Sequence, residues 1–153
     1  MEVKILMNNT IRVRVTGILQ NEKNEILFIK HRKNGDEYWL LPGGGVDYGE
    51  TFQEGLKREF LEETNLKIEV NNMAFLSEAI EPNHKRHIIN VYFFVTKIGG
   101  DMKLASEDNL VDLQFLDENK IENSIIYPNI KKELKNISNN KNNCVHYLGN
   151  RWE

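Results

Sequence analysis

Apolar and polar residues alternate near the start of the chain. Ile11, Val13 and Val15 interleave with Arg12, Arg14 and Thr16, the period of two of a half-buried strand, which the pattern carries to about Leu19. Asn21-Glu22-Lys23-Asn24 is a polar turn, and the apolar run Ile26 to Ile29 predicts the returning arm of a hairpin. Lys33-Asn34-Gly35-Asp36-Glu37 interrupts the pattern; Tyr38 to Leu41 predicts a brief strand stopped by Pro42 and three glycines. A helix is predicted from about Thr51 to Thr64, weakened by Gly55 by about 1 kcal/mol relative to alanine. Ala74–Ile80 and His87–Thr96 predict two strands joined by Glu81-Pro82-Asn83-His84-Lys85-Arg86, and Gln114 to Leu116 a shorter one. Tyr127 to Asn136 predicts a second helix with Pro128 in its first turn, where a missing N–H costs little. Ser138 to Asn143, dense in Asn and Lys, is expected to be a loop. Cys144 to Leu148 is expected to be a last short strand or a docked tail. Strands, a helix, more strands and a helix, without regular βαβ alternation, predict an α+β fold on a mixed sheet.

The 153 residues suit a single domain, 1–153, with 138–153 as its tail. Hydrophobic residues make up 40% and charged residues 28%, which places the chain with ordinary soluble domains. A net charge of −3 supplies no global basic field, so a nucleic-acid partner is not expected. The single cysteine, Cys144, cannot form an internal disulfide. No apolar stretch approaches the roughly 20 residues that span a bilayer, and the first ten residues lack a signal-peptide pattern. The expected location is the cytoplasm, with no membrane partner.

The candidate chemistry lies between Gly44 and Leu66. On a helix, Glu59 neighbours both Glu62 and Glu63. Like charges at that spacing repel, and in the last turns the helix dipole also opposes them. A cation would remove the conflict, and oxygen ligands beside an anionic substrate suit magnesium. Phe52, Leu56, Glu59 and Glu63 fall on one stripe, so Glu59 and Glu63 are expected to point towards the body of the protein. An acidic run on a helix is ordinarily a solvated face, and Glu54 with Arg58 fits that reading as an i,i+4 pair. Pro42-Gly43-Gly44-Gly45 in front of the helix argues otherwise: glycines let a ligand approach the backbone, and successive N–H groups favour anions.

Together these residues resemble the Nudix box, G-x5-E-x7-R-E-U-x-E-E-x-G-U, where U is bulky and apolar. Gly44, Glu50, Arg58, Glu59, Phe60, Glu62, Glu63 and Leu66 stand at the required spacings. Leu41-Pro42-Gly43 and Tyr48-Gly49 resemble the usual lead-in. One position departs: the closing glycine is Asn65, and asparagine is the next best residue for a left-handed helix end. The resemblance implies an α/β/α sandwich around a mixed sheet. It also implies a hydrolase that cuts a pyrophosphate bond with magnesium, or manganese as its substitute. Glu59, Glu62 and Glu63 would bind metal, helped by the Gly44 carbonyl. Arg58 would orient a carboxylate, and Glu50 would brace the loop. Glu107, in Ala105-Ser106-Glu107-Asp108, stands where an acid outside the box could act as base or further ligand.

The box does not choose a substrate. Pro82, sixteen residues beyond Leu66, resembles a feature of ADP-ribose pyrophosphatases and tilts the expectation to a nucleoside diphosphate linked to another moiety. A nucleoside triphosphate is the alternative, and a non-catalytic nucleotide sensor the rival from another class. Lys30 and Arg32, Gly43 and Gly44, and Arg86 in a second basic cluster are the candidate substrate contacts, on the principle that cations and backbone N–H groups hold phosphate. Family relatives are often dimers, so a homodimer is a further expectation.

Overall fold

The computed structural model describes residues 9–137 and 144–152. The loop expected over 138–143 lies outside them. Among the described residues, eight strands form two sheets. β1 (Arg12–Leu19), β4 (Gly43–Gly45), β5 (Lys67–Ile80), β6 (His87–Gly99) and β8 (His146–Asn150) make a mixed sheet in the order β4-β1-β6-β5-β8. β2 (Ile26–Lys33), β3 (Asp36–Leu40) and β7 (Leu110–Leu116) make an antiparallel sheet in the order β3-β2-β7. β1 runs parallel to β6, and β8 parallel to β5.

Two apolar cores explain the layering. Leu56 and Phe60 of α1 (Phe52–Thr64) pack with Val15, Leu19, Leu27, Val91 and Val95. On the other side, Phe28, Trp39, Phe75 and Tyr92 pack with Ile121, Ile130 and Leu134, from α2 (Glu118–Glu122), α3 (Lys131–Lys135) and the chain between them. Strand alternation sends successive side chains to the two cores, giving the helix–sheet–helix sandwich of an α+β domain.

α1 begins where the sequence places it. Thr51 caps it: its Oγ1 accepts from Glu54 N at 3.1 Å, and Glu54 Oε2 accepts from Thr51 N at 2.8 Å, a capping box. It ends at Asn65, left-handed at φ 59°, whose N–H donates to Leu61 O. The extra bulk of Phe60 is met by Gly17, where a Cβ would fall 2.5 Å from the Phe60 ring.

Several elements differ from the pattern. The hairpin expected of β1 and β2 does not form, since the two strands lie in different sheets, and the pattern does not predict α2. β5 starts at Lys67, not Ala74, because the polar pair Asn71-Asn72 sits at a register shift between Val70 and Met73 rather than in a turn. β7 starts at Leu110, not Gln114. The helix expected from Tyr127 shrinks to Lys131–Lys135. Upstream, Trp39 N donates to Ile125 O and Tyr127 N to Trp39 O, at 2.8 and 3.0 Å, so this stretch lies extended along the edge of β3. Among the described residues no helix is long and apolar enough to cross a membrane.

Candidate active site

β1 pairs with β4 through Val15↔Gly44 and Thr16↔Gly43, which presses the glycine loop onto the central sheet. α1 then lays Glu59 and Glu63 across that loop. Glu63 Oε1 accepts from Gly43 N at 3.0 Å. A Cβ at Gly44 would fall 2.5 Å from Glu59 Oε2, so the glycine is what lets the carboxylate lie against the backbone. Both carboxyl groups are partly withdrawn from water. Burial is the leading cause that raises each, Glu63 to about 8. The Gly43 N–H and the Arg14 charge act against this at Glu63, while the Glu59 and Glu107 charges add to it.

Arg58 is the brace of the loop. It grips Glu50 with two bonds, Nε to Oε2 at 2.8 Å and Nη2 to Oε1 at 2.9 Å, and also donates to Gly45 O and Glu59 Oε1 at 3.0 and 2.8 Å. The guanidinium holds the Glu50 carboxyl down at about 2, and Glu50 and Glu59 raise Arg58 further, so it stays charged. Glu54 serves the cap instead, so the expected Glu54–Arg58 pair does not form.

Glu62 stands apart. Its side chain is 56% exposed, and its partner is Arg58 Nη1 at 3.4 Å. Among the described residues no three acid, histidine or cysteine side chains are grouped closely enough to hold a metal ion. What the structure brings together is Glu59, Glu63 and the Gly43-Gly44 backbone. Glu59 has Arg58 as its ion-pair partner and, among the described residues, Glu63 has none, so two neighbouring desolvated carboxyl groups share one cation, and that fits a divalent metal ion. Glu107 approaches through the chain after β6. Lys103 N donates to Thr64 O and Ala105 N to Glu63 O, at 2.9 and 3.1 Å, tying that segment to the open carbonyls at the end of α1.

Beside this centre lies a cleft of about 930 Å³ whose walls include Arg14, His31, Lys33, Tyr38, Arg86, Tyr127 and Trp152. Arg14 links the two places: it lines the cleft, and its charge lowers Glu59 and Glu63. Among the described residues no carboxylate forms an ion pair with it, so its charge is open to an anion.

Arg86 lines the cleft, but Lys30 and Arg32 do not. Opposite them on β3 stand Trp39 and Glu37; Lys30 lies over the Trp39 ring at 4.9 Å and Arg32 Nε donates to Glu37 at 3.1 Å. Alternation turns His31 and Lys33 to the cleft instead. Arg14, Tyr127 and Trp152 were not singled out from the sequence as site residues. For Arg14 the signal was present: a charged residue two positions before buried Thr16 on the same strand face.

A family model described as the NUDIX domain matches residues 10–137. The chain is 34% identical over 110 residues to a protein of Methanocaldococcus jannaschii named ADP-ribose pyrophosphatase, covering 71% of this chain and 63% of that one. It is 32% identical to a MutT-like protein of Streptomyces ambofaciens, covering 69% of this chain and 65% of that one. The chain thus spans just under two thirds of the length of these relatives. Among solved structures, the MutT protein of Methanosarcina mazei Go1 superposes with a TM-score of 0.72 at 23% identity, covering 89% of this chain and 99% of that one.

Proposed function

The chain belongs to the NUDIX family, and from that membership we propose that it hydrolyses the pyrophosphate bond of a nucleoside diphosphate linked to another moiety, with a compound of the ADP-ribose kind first. The observation that carries the proposal is the pair Glu59 and Glu63, laid against Gly43-Gly44 and joined by Arg14 to a large cleft. The name of the Methanocaldococcus jannaschii relative supports the substrate class.

Nudix hydrolases work with divalent metal ions; magnesium, or manganese in its place, is our assignment. Glu59 and Glu63 would hold it with the Gly44 carbonyl, and Glu62 would join them by leaving Arg58. When bound, the ion would supply a lower pKa for water and countercharge for the phosphates. The remaining work belongs to the chain. Arg58 and Glu50 keep the glycine loop and Glu59 in register. Arg14 holds phosphate oxygens, and Arg86 meets the substrate from the far wall of the cleft. Glu107 takes one proton from the attacking water. The water oxygen bonds to one phosphorus as the bond from that phosphorus to the bridging oxygen breaks. ADP-ribose and water then give AMP and ribose 5-phosphate.

The test is product analysis with magnesium across ADP-ribose, other sugar nucleotides, dinucleoside polyphosphates and nucleoside triphosphates. AMP and ribose 5-phosphate from ADP-ribose are expected. Monophosphate and pyrophosphate from a triphosphate, with ADP-ribose untouched, would overturn the substrate and keep the reaction. Turnover of nothing in the panel would count against the hydrolase assignment.

A further inference from the structure

The family match ends at residue 137, yet one wall of the cleft comes from beyond it. β8 pairs through Phe75↔His146 and Leu76↔Tyr147, with residues about seventy positions earlier in the chain. Tyr147 is 63% exposed, and Leu148 is the residue of β8 that packs on the core. Apolar burial therefore does little to hold this segment. Polar bonds hold it instead. Asn150 Oδ1 accepts from Ile80 N at 3.0 Å, Arg151 N donates to Glu78 O at 2.7 Å, and the Tyr147 hydroxyl donates to Glu78. The Arg151 guanidinium donates to Glu133 Oε1 at 2.6 Å and to Asn129 O at 3.2 Å. It thereby fastens the segment to α3 and to the chain that carries Tyr127. Such bonds add modestly to stability but fix direction.

What they fix is Trp152. Its ring meets Tyr127 at 89° with centroids 6.5 Å apart, and Tyr127 meets Tyr38 at 72° and 6.3 Å. All three rings line the cleft. Arg86 lies over the Trp152 ring at 5.8 Å, so that face already receives a flat cation. A nucleobase offers the same kind of flat partner.

We propose that the segment 146–152 is the specificity element of this site, and that Trp152, cornered by Tyr127, stacks the nucleobase of the substrate. The proposal rests on the cleft being the substrate site described above. Phosphates lie at Arg14, beside Glu59 and Glu63, and the base lies at the aromatic end. Arg151 is a positioning residue that acts through Trp152.

The experiment compares wild type, Trp152→Ala and Trp152→Phe on ADP-ribose and on phosphoribosyl pyrophosphate, a pyrophosphate compound without a base. Trp152→Ala is expected to raise KM for ADP-ribose about tenfold more than for the base-free compound, with Trp152→Phe restoring most of the difference. Equal effects on both compounds, or none, would overturn the proposal. If either compound is not hydrolysed, the substrate reading is decided by the product panel, and the base site is judged separately by titrating AMP against tryptophan fluorescence. A quench in wild type that Trp152→Phe lacks supports the site; no quench, or the same quench in both, overturns it.

Discussion

Glu63→Gln should make the metal-free protein more stable while weakening its hold on magnesium. Glu63 is half-buried, and burial pushes its carboxyl up to about 8 from an ordinary 4.5. A carboxyl whose pKa is raised in the fold contributes fully to stability below about pH 4.5, and the contribution is lost as pH rises towards 8. Each pH unit in that window costs about 1.4 kcal/mol, so at pH 7, where the unfolded chain has lost the Glu63 proton and the fold keeps it, the group costs the fold about 3 kcal/mol. Glutamine is neutral, nearly isosteric, and can still accept from Gly43 N. For a domain of this size that difference corresponds to a Tm higher by about 6–12 °C. The assay is thermal unfolding of both proteins in chelator at pH 5, 7 and 8.5. The two should nearly coincide at pH 5 and separate as pH rises, with the variant above. Excess magnesium should then raise the wild type more than the variant, since a ligand stabilises only the state that binds it. Parallel pH profiles in chelator would refute the reasoning, because they would mean that Glu63 is not desolvated in the fold.

Two further substitutions test the packing around the site. Gly44→Ala puts a methyl group against the Glu59 carboxylate; it should lower kcat on the substrate found in the product panel by at least about tenfold, since small displacements at a reacting centre are costly, with circular dichroism unchanged. Phe60→Ala empties a fully buried site under Gly17 and should cost about 3–5 kcal/mol in urea denaturation; a loss below about 1 kcal/mol would mean the site collapses around the gap.

Local chemistry explains what could be read early. α1 is marked at both ends by residues whose job is local: Thr51 and Glu54 close a capping box, and Asn65 takes the left-handed turn. The loop before α1 follows from its glycines in the same way, whereas the hairpin expected of β1 and β2 fails because the two strands join different sheets and, among the described residues, pair only at the bridge Gln20↔Ile26. The misreadings share a cause too. The strand expected from Ala74 begins earlier because pairing with β6 carries it back through the polar pair Asn71-Asn72, across a register shift. Tyr127 and Pro128 were expected to open a helix, but the open edge of β3 took up the backbone just before them.

The sequence by itself determined the periods of β1 and α1, the carboxylates on one stripe of α1, the glycines in front of them and the family these residues resemble. Those properties depend on neighbours within a few turns of chain, where spacing fixes geometry. Only the tertiary structure decided that Glu59 and Glu63 are half-buried while Glu62 faces solvent, that His31 and Lys33 rather than Lys30 and Arg32 meet the cleft, and that Trp152 reaches Tyr127. Alternation divides a strand into two faces but does not say which face is covered. Desolvation and charge pairing are set by side chains that arrive from distant strands.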